Sequence, residues 1–145
     1  MLTELTLKND IGEIQYLNDR ICELGQENRL SQETIFDLRL AAEEVVSNII
    51  RYGYRDREEH QIRVQIAFDL DALTVEIRDN GKPFNPLQHP EPDLGIPTED
   101  RDPGGLGIFL VRQVMDQVEY VREQGSNVLI MKKSIGNADE SESSK

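Results

Sequence analysis

Three polar side chains suited to catalysis lie along one edge of a helical pattern. At about 100° per residue, the apolar side chains of residues 36–54 cover roughly half of a helix circumference, which is wide enough to pack on a sheet. Glu44 and Asn48 are four residues apart and lie one above the other, with Arg51 beside them. This edge therefore offers a carboxylate that can accept a proton, an amide and a fixed positive charge. Taken alone, these three residues are more simply explained as the solvent-facing edge of an ordinary amphipathic helix.

Two further motifs have both a structural and a chemical interpretation. The tripeptide DNG at residues 79–81 ends an alternating apolar segment and is typical of a tight turn. The sequence GGLG at residues 104–107 precedes a helical pattern. It can be a hinge, or it can bind an anion, because N–H groups at a helix N-terminus are free to donate to phosphate.

Composition limits the class of protein. The 145 residues, of which 37% are hydrophobic and 30% charged, suit one globular domain. No apolar run approaches the roughly 20 residues of a membrane span, and we see no signal peptide. Cys22 is the only cysteine, so no internal disulfide can form. These features predict a cytoplasmic protein that does not enter membranes.

The charge of the chain points to protein partners. A net charge of −12 disfavours direct binding to nucleic acid and suits a basic protein. Part of this charge lies in the polar stretch 136–145, which has no apolar periodicity. We therefore expect a folded domain over residues 1–135 and a disordered acidic tail over residues 136–145.

Apolar periodicity predicts the element order β-α-α-β-β-loop-α-β-β. The predicted strands and helices before the loop cover residues 2–7, 11–28, 36–54, 61–68 and 73–78. A helix after residue 107 and strands at 119–122 and 127–132 follow it. This order predicts a two-layer α/β sandwich, with helices on one face of a mixed, mostly antiparallel sheet.

The order and spacing of three motifs are more specific than any one of them. EEVVSNIIRYGY, then DNGKPFNP at a strand end, then GGLGIFLVRQVMD resembles the Bergerat, or GHKL (histidine-kinase-like), ATPase superfamily. Within it, the chain resembles the anti-sigma-factor serine/threonine kinases of bacterial partner-switching systems. The likeness covers residues 5–133 and implies the Bergerat ATP-binding fold, with ATP and Mg²⁺ as cofactors.

The resemblance implies a role for each residue on the helix edge. Glu44 matches the general base that activates the attacking hydroxyl. Asn48 matches the asparagine whose amide oxygen ligates Mg²⁺ between the phosphates. Arg51 matches a position at which histidine-kinase relatives carry a lysine that contacts phosphate.

The other two motifs would bind the nucleotide. Asp79 matches the aspartate that accepts a hydrogen bond from the adenine amino group, and Gly81 lets the base approach. Gly105, Leu106 and Gly107 match the glycine box, whose backbone amides surround the phosphates.

The chain departs from the superfamily pattern at two positions. Residues 82–104, which contain all six prolines, would form the ATP lid, and Pro83 stands where the superfamily often has glycine. Tyr52 replaces a frequent histidine, and we expect it to pack beneath the adenine-side wall. We interpret His60 and His89 as solvated loop residues.

The resemblance implies an ATP-dependent protein serine/threonine kinase that regulates transcription. It would phosphorylate a serine of a STAS-domain anti-sigma-factor antagonist and sequester a sigma factor, with homodimerisation through the sheet edge near the N-terminal strand. Two alternatives stay open, a nucleotide-sensing partner-switch module without catalysis and a detached histidine-kinase-type ATPase domain.

Overall fold

The computed structural model describes residues 2–54, 56–69, 71–88 and 105–135. The elements before the predicted lid are β1 (Leu2–Lys8), α1 (Glu13–Glu27), α2 (Gln32–Tyr52), β2 (Gln61–Phe68) and β3 (Ala72–Asp79), and a 3₁₀ turn (Pro86–Gln88) lies within the predicted lid. The remaining elements are α3 (Gly105–Val114), β4 (Gln117–Glu123) and β5 (Ser126–Ser134). The predicted element order is confirmed.

The five strands form one sheet in the order β1-β2-β3-β5-β4. Every pairing between them is antiparallel, whereas the sequence predicted a mixed, mostly antiparallel sheet. In β3 the side chains of Leu73, Val75, Ile77 and Asp79 alternate inward. Leu73, Val75 and Ile77 pack with α1, α2 and α3 on one face of the sheet, which confirms the two-layer α/β architecture.

Helix α2 lies across this face and begins at a clear cap. The Ser31 hydroxyl accepts the backbone N–H of Thr34 at 3.1 Å, which satisfies one free donor of the first turn. The apolar arc is buried from Ile35 to Val46. Ser47, on the polar side of the wheel, is also buried, while Tyr52 at the other end of the arc is 42% exposed.

Two predicted segments lie outside the described residues. They are residues 89–104 of the expected lid, with His89, and the expected tail at residues 136–145. In the part of the chain that the structure describes, none of the helices has the length and the apolar content needed to cross a membrane.

Candidate functional site

A cavity of about 490 Å³, partly open to solvent, lies between the C-terminal half of α2 and the ends of β3 and β5. We call it the α2–β3 cavity. Apolar side chains from α2, α3 and the sheet form most of its wall, including Val45, Ile49, Ile77, Ile108 and Leu129. The polar side chains in its lining are Asn48, Tyr52, Asp79, Lys82, Tyr120 and Asn127.

Asp79 is the buried carboxylate of this cavity, with 5% of its surface exposed. Its Oδ1 accepts the backbone N–H of Gly81 at 2.8 Å and the side-chain amide of Asn127 at 3.1 Å. Burial raises the pKa of Asp79, while these two hydrogen bonds and the nearby Arg122 oppose the rise. Both bonds fall on Oδ1, so the carboxylate has a fixed orientation with Oδ2 free of them.

Asn127 connects Asp79 to the start of the expected lid. Its amide nitrogen donates to the Lys82 carbonyl at 2.8 Å. Its amide oxygen accepts the Phe84 backbone N–H at 3.3 Å and the Tyr120 hydroxyl. The Asn127 side chain thus binds the Asp79 carboxylate and the backbone of Lys82 and Phe84, which lie in the turn after β3.

The same turn is also bound from β4 and from the end of α2. Arg122 donates to the Gly81 carbonyl at 2.8 Å, and the Lys82 N–H donates to the Gly53 carbonyl at 2.9 Å. A Cβ at Gly81 would overlap that Gly53 oxygen, so only glycine fits there. The backbone around Pro83 is therefore well defined.

Asn127, Tyr120 and Arg122 are site residues that no motif of the sequence predicted. Asn127 offered one signal, since it precedes the inward residues Leu129 and Met131 at the period of a strand. Asn127 in β5 is paired with Asp79 in β3. This pairing joins segments 48 residues apart, and no local pattern predicts it.

Glu44 meets the first turn of α3. A Cβ added to Gly107 would overlap the Glu44 carboxylate, so the helix backbone lies directly against this side chain. Glu44 Oε2 is buried and accepts no hydrogen bond from the described residues. A buried acceptor without a partner is costly, and such atoms are expected where a ligand supplies the donor.

Glu44 also lines a second, wider space of about 1,100 Å³ between α1 and α2, which we call the α1–α2 cleft. Asn18, Glu43 and Arg51 line it too. Burial raises the pKa of Glu44; the positive charge of Arg51 opposes this rise and the negative charge of Glu43 adds to it. The carboxylate therefore keeps its proton to a higher pH than an ordinary glutamate.

The predicted site residues thus divide between two neighbouring faces of α2. Asn48 lies in the α2–β3 cavity with Asp79, whereas Glu44 and Arg51 line the α1–α2 cleft. Gly105, Leu106 and Gly107 form the first turn of α3, and Gly107 lies against Glu44. Among the described residues, no three carboxylate, histidine or cysteine side chains are grouped to hold a metal ion.

Tyr52 lines the α2–β3 cavity, where the sequence predicted a packing role. The prediction that His60 is a solvated loop residue was wrong, because its side chain is only 16% exposed. Its ring stacks on Tyr54 with centroids 4.1 Å apart, and its Nε2 lies 2.7 Å from an oxygen of Asp56. These contacts follow from the packing of the α2–β2 connector, which sequence periodicity does not describe.

Comparisons with known proteins agree on one family. Residues 9–133 match the model of the histidine kinase-like ATPase domain. The chain is 31% identical over 106 residues to the serine-protein kinase RsbW of Listeria monocytogenes, covering 70% of this chain and 68% of that protein. It is 30% identical over 104 residues to the serine/threonine-protein kinase BtrW of Bordetella bronchiseptica, covering 72% and 73%.

Solved structures show the same fold. The crystal structure of the RsbU and RsbW domains of Rv1364c from Mycobacterium tuberculosis matches with a TM-score of 0.67 and 15% identity, over 93% of this chain and 32% of that one. A histidine kinase domain from Erythrobacter litoralis matches with a TM-score of 0.51. The chain belongs to the histidine kinase-like (GHKL) ATPase family, in the branch of the anti-sigma-factor serine kinases that includes RsbW.

Proposed function

We propose that this protein is an ATP-dependent protein serine kinase of a partner-switching system. It would phosphorylate a serine of a STAS-domain anti-sigma-factor antagonist and, in its other state, sequester a sigma factor. The observation that carries the proposal is the Glu44 carboxylate, whose Oε2 is buried against the first turn of α3 with no hydrogen-bond partner among the described residues. The names of the relatives, serine-protein kinases, support it.

Adenine would occupy the α2–β3 cavity. Asp79 Oδ2 would accept the amino group of the base, because Oδ1 is already bound by Gly81 and Asn127. The apolar walls would hold the two faces of the ring. The Asn127 hydrogen bonds keep the carboxylate in position before the nucleotide arrives, which lowers the entropic cost of binding.

The phosphates would extend along α2 toward the N-terminus of α3. Free N–H groups at the first turn, Gly105 to Gly107, and the helix dipole favour negative charge there. Arg51 adds a positive charge from α2, at the edge of the α1–α2 cleft.

Mg²⁺ would be held by the Asn48 amide oxygen together with phosphate oxygens. An amide oxygen in the cavity wall suits this ion, since Mg²⁺ commonly takes few protein ligands beside nucleotide phosphates. When bound, the ion would neutralise the phosphate charge.

Glu44 would act as the base of the transfer. As the serine oxygen bonds to the γ-phosphorus, its proton passes to the Glu44 carboxylate, and the bond from the γ-phosphorus to the bridging oxygen breaks to release ADP. A raised pKa suits this role, because a stronger base accepts the proton more readily near neutral pH. Glu44 faces the α1–α2 cleft, from which a protein substrate can reach it.

The partners would bind the surface of the domain. The net charge of −12 suits a basic face on the sigma factor. In the part of the chain that the structure describes, β1 pairs with β2 alone and is therefore a sheet edge, the place at which we predicted homodimerisation.

Radiolabelled ATP tests the kinase function with purified STAS-domain proteins from the same organism. We expect one of them to be labelled on serine. Glu44→Gln should reduce labelling at least about a hundredfold while ATP still binds, as expected for loss of a general base. Glu43→Gln is the matched control, one residue away in the same cleft, and should leave labelling nearly intact.

Two results would count against the kinase. If no STAS-domain protein is labelled, or if Glu44→Gln labels as fast as the wild type, Glu44 is not a catalytic base. ATP binding in a calorimeter without any transfer would instead favour the non-catalytic nucleotide-sensing module. Acid-labile phosphate on a separate histidine protein would favour the histidine-kinase-type domain.

A further inference from the structure

Lys133 of β5 makes two contacts at the end of α3 far from the proposed phosphate site. Its ammonium donates to the carbonyl of Val114, the last residue of α3, at 2.7 Å. The same ammonium lies 3.3 Å from an Asp37 carboxylate oxygen in α2. The Lys133 and Asp37 side chains are 16% and 14% exposed, so water screens this pair less than a surface ion pair.

The two ends of α3 are thus attached to α2 at matching positions. Gly107 lies against Glu44 at one end, and Val114 is joined to Asp37 through Lys133 at the other. Both Gly107 to Val114 and Glu44 to Asp37 span seven residues, or about 10.5 Å of helix. The helices therefore run antiparallel in this region, with equal lengths between the two attachments.

We propose that Lys133, together with Asp37, is a positioning pair that fixes the axial position of α3 along α2. The pair would thereby hold the glycine-containing first turn against Glu44. This inference rests on the proposed function and deepens it, because the same turn is the one expected to bind phosphate.

The Glu44 contact tolerates little sliding. Sliding α3 by about 1.5 Å, the rise of one residue, would separate the Gly107 backbone from the Glu44 carboxylate or press the two together, because they already lie closer than a Cβ would allow. The core contacts of Val111 and Met115 press α3 onto the sheet, but apolar packing is not directional. The hydrogen bond from the Lys133 ammonium to the Val114 carbonyl is directional and resists movement of α3 along its own axis.

Calorimetry with ATP and with adenosine separates positioning from general stability. In Lys133→Met we expect ATP affinity to fall about tenfold, the scale of one lost charge-assisted hydrogen bond. Adenosine affinity should change less than about twofold, since among the described residues only Ile108 brings α3 to the wall of the α2–β3 cavity.

Two further variants control for charge and chemistry. Asp37→Asn changes the net charge in the opposite direction from Lys133→Met, so a loss of ATP affinity shared by both cannot be long-range electrostatics. Lys133→Arg keeps the donor and the charge and should bind ATP nearly as the wild type does. All variants are measured well below their thermal midpoints, with folding checked by circular dichroism.

Hydrogen exchange gives a readout that does not need ATP. In Lys133→Met, backbone amides of α3 should exchange at least about tenfold faster while those of β2 and β3 stay unchanged. Unchanged α3 exchange and ATP affinity would overturn the proposal. So would a parallel loss of ATP and adenosine binding, which indicates only a weaker fold. A wild type that binds no ATP refutes the proposed function, and α3 exchange then still decides the role of Lys133.

Discussion

Glu44 combines a chemical use with a cost to the fold. Its Oε2 is buried with no hydrogen-bond partner among the described residues, and burial raises the pKa of the side chain above its usual 4.5. The folded protein therefore binds more protons than the unfolded chain at pH values between the unfolded and folded pKa. Where the folded state binds more protons than the unfolded chain, stability falls as the pH rises. Ionised Glu44 therefore destabilises the protein at neutral pH.

Glu44→Gln should therefore raise the melting temperature at pH 7 even as it abolishes transfer. We expect a gain of about 0.5–1 kcal/mol, discounted for partial exposure, and a shift of about 1–4 °C. The gain should vanish below about pH 4.5, where the wild-type carboxyl is protonated in both states. Differential scanning fluorimetry across pH measures this, with Glu43→Gln as the control. A lower melting temperature for Glu44→Gln at pH 7 would contradict the sign.

Asn127 is the second residue whose role is specific. Its amide binds Asp79, the Lys82 carbonyl and the Phe84 N–H together. Asn127→Ala removes these bonds and should lower ATP affinity about tenfold, which corresponds to a loss of roughly 1–2 kcal/mol in binding free energy. Calorimetry with the neighbouring Ser126→Ala as control checks it. Equal affinities for both variants would mean that Asp79 needs no such support.

At the scale of elements, the contact between α2 and α3 decides the geometry of the site. Asn48 and Glu44 lie on adjacent faces of α2, so one helix borders both the α2–β3 cavity and the α1–α2 cleft. Nucleotide and protein substrate can then reach the proposed reaction centre from different sides. The first turn of α3 lies where these two approaches meet.

Gly107→Ala tests this contact between the helices. Alanine favours a helix by about 1 kcal/mol over glycine, but here its methyl would overlap the Glu44 carboxylate. We therefore expect little transfer, and a loss of stability below the roughly 1–3 kcal/mol of overpacking a rigid core, because the Glu44 carboxylate can turn toward the α1–α2 cleft. The control Gly12→Ala, whose added Cβ would meet only an Asp10 oxygen at 3.4 Å, should change stability by less than about 0.5 kcal/mol.

The double variant Gly107→Ala with Glu44→Ala removes the overlap from the other side. It should recover most of the stability lost in Gly107→Ala, while transfer stays absent because the base is gone. Urea unfolding of the four proteins in this cycle measures the coupling between the two positions. Additive effects would show that the two residues do not press on each other.

At the scale of the whole molecule, net charge is the property most relevant to partners. A charge of −12 on 145 residues attracts a basic surface over a distance set by salt. We expect binding to a purified sigma factor to weaken about tenfold or more between roughly 50 and 500 mM NaCl, mostly through slower association. Surface plasmon resonance separates the two rates. Salt-independent association would exclude charge as the main attraction.

The sequence by itself determined the order of the elements, the buried arc of α2 and the three motifs of the site. Each of these depends on residues close along the chain, where side-chain period and turn chemistry act directly. The edge of α2 with Glu44 and Asn48 was visible for this reason. So was the glycine-rich start of α3.

Only the tertiary structure decided which groups meet. Pairing of β3 with β5 brings Asn127 to Asp79, and packing of α3 on α2 brings Gly107 to Glu44. It also buries His60 against Tyr54, where the sequence predicted a solvated loop residue. These contacts join segments far apart in the chain, and their energies depend on shape and distance in the folded molecule. Local periodicity carries no information about either.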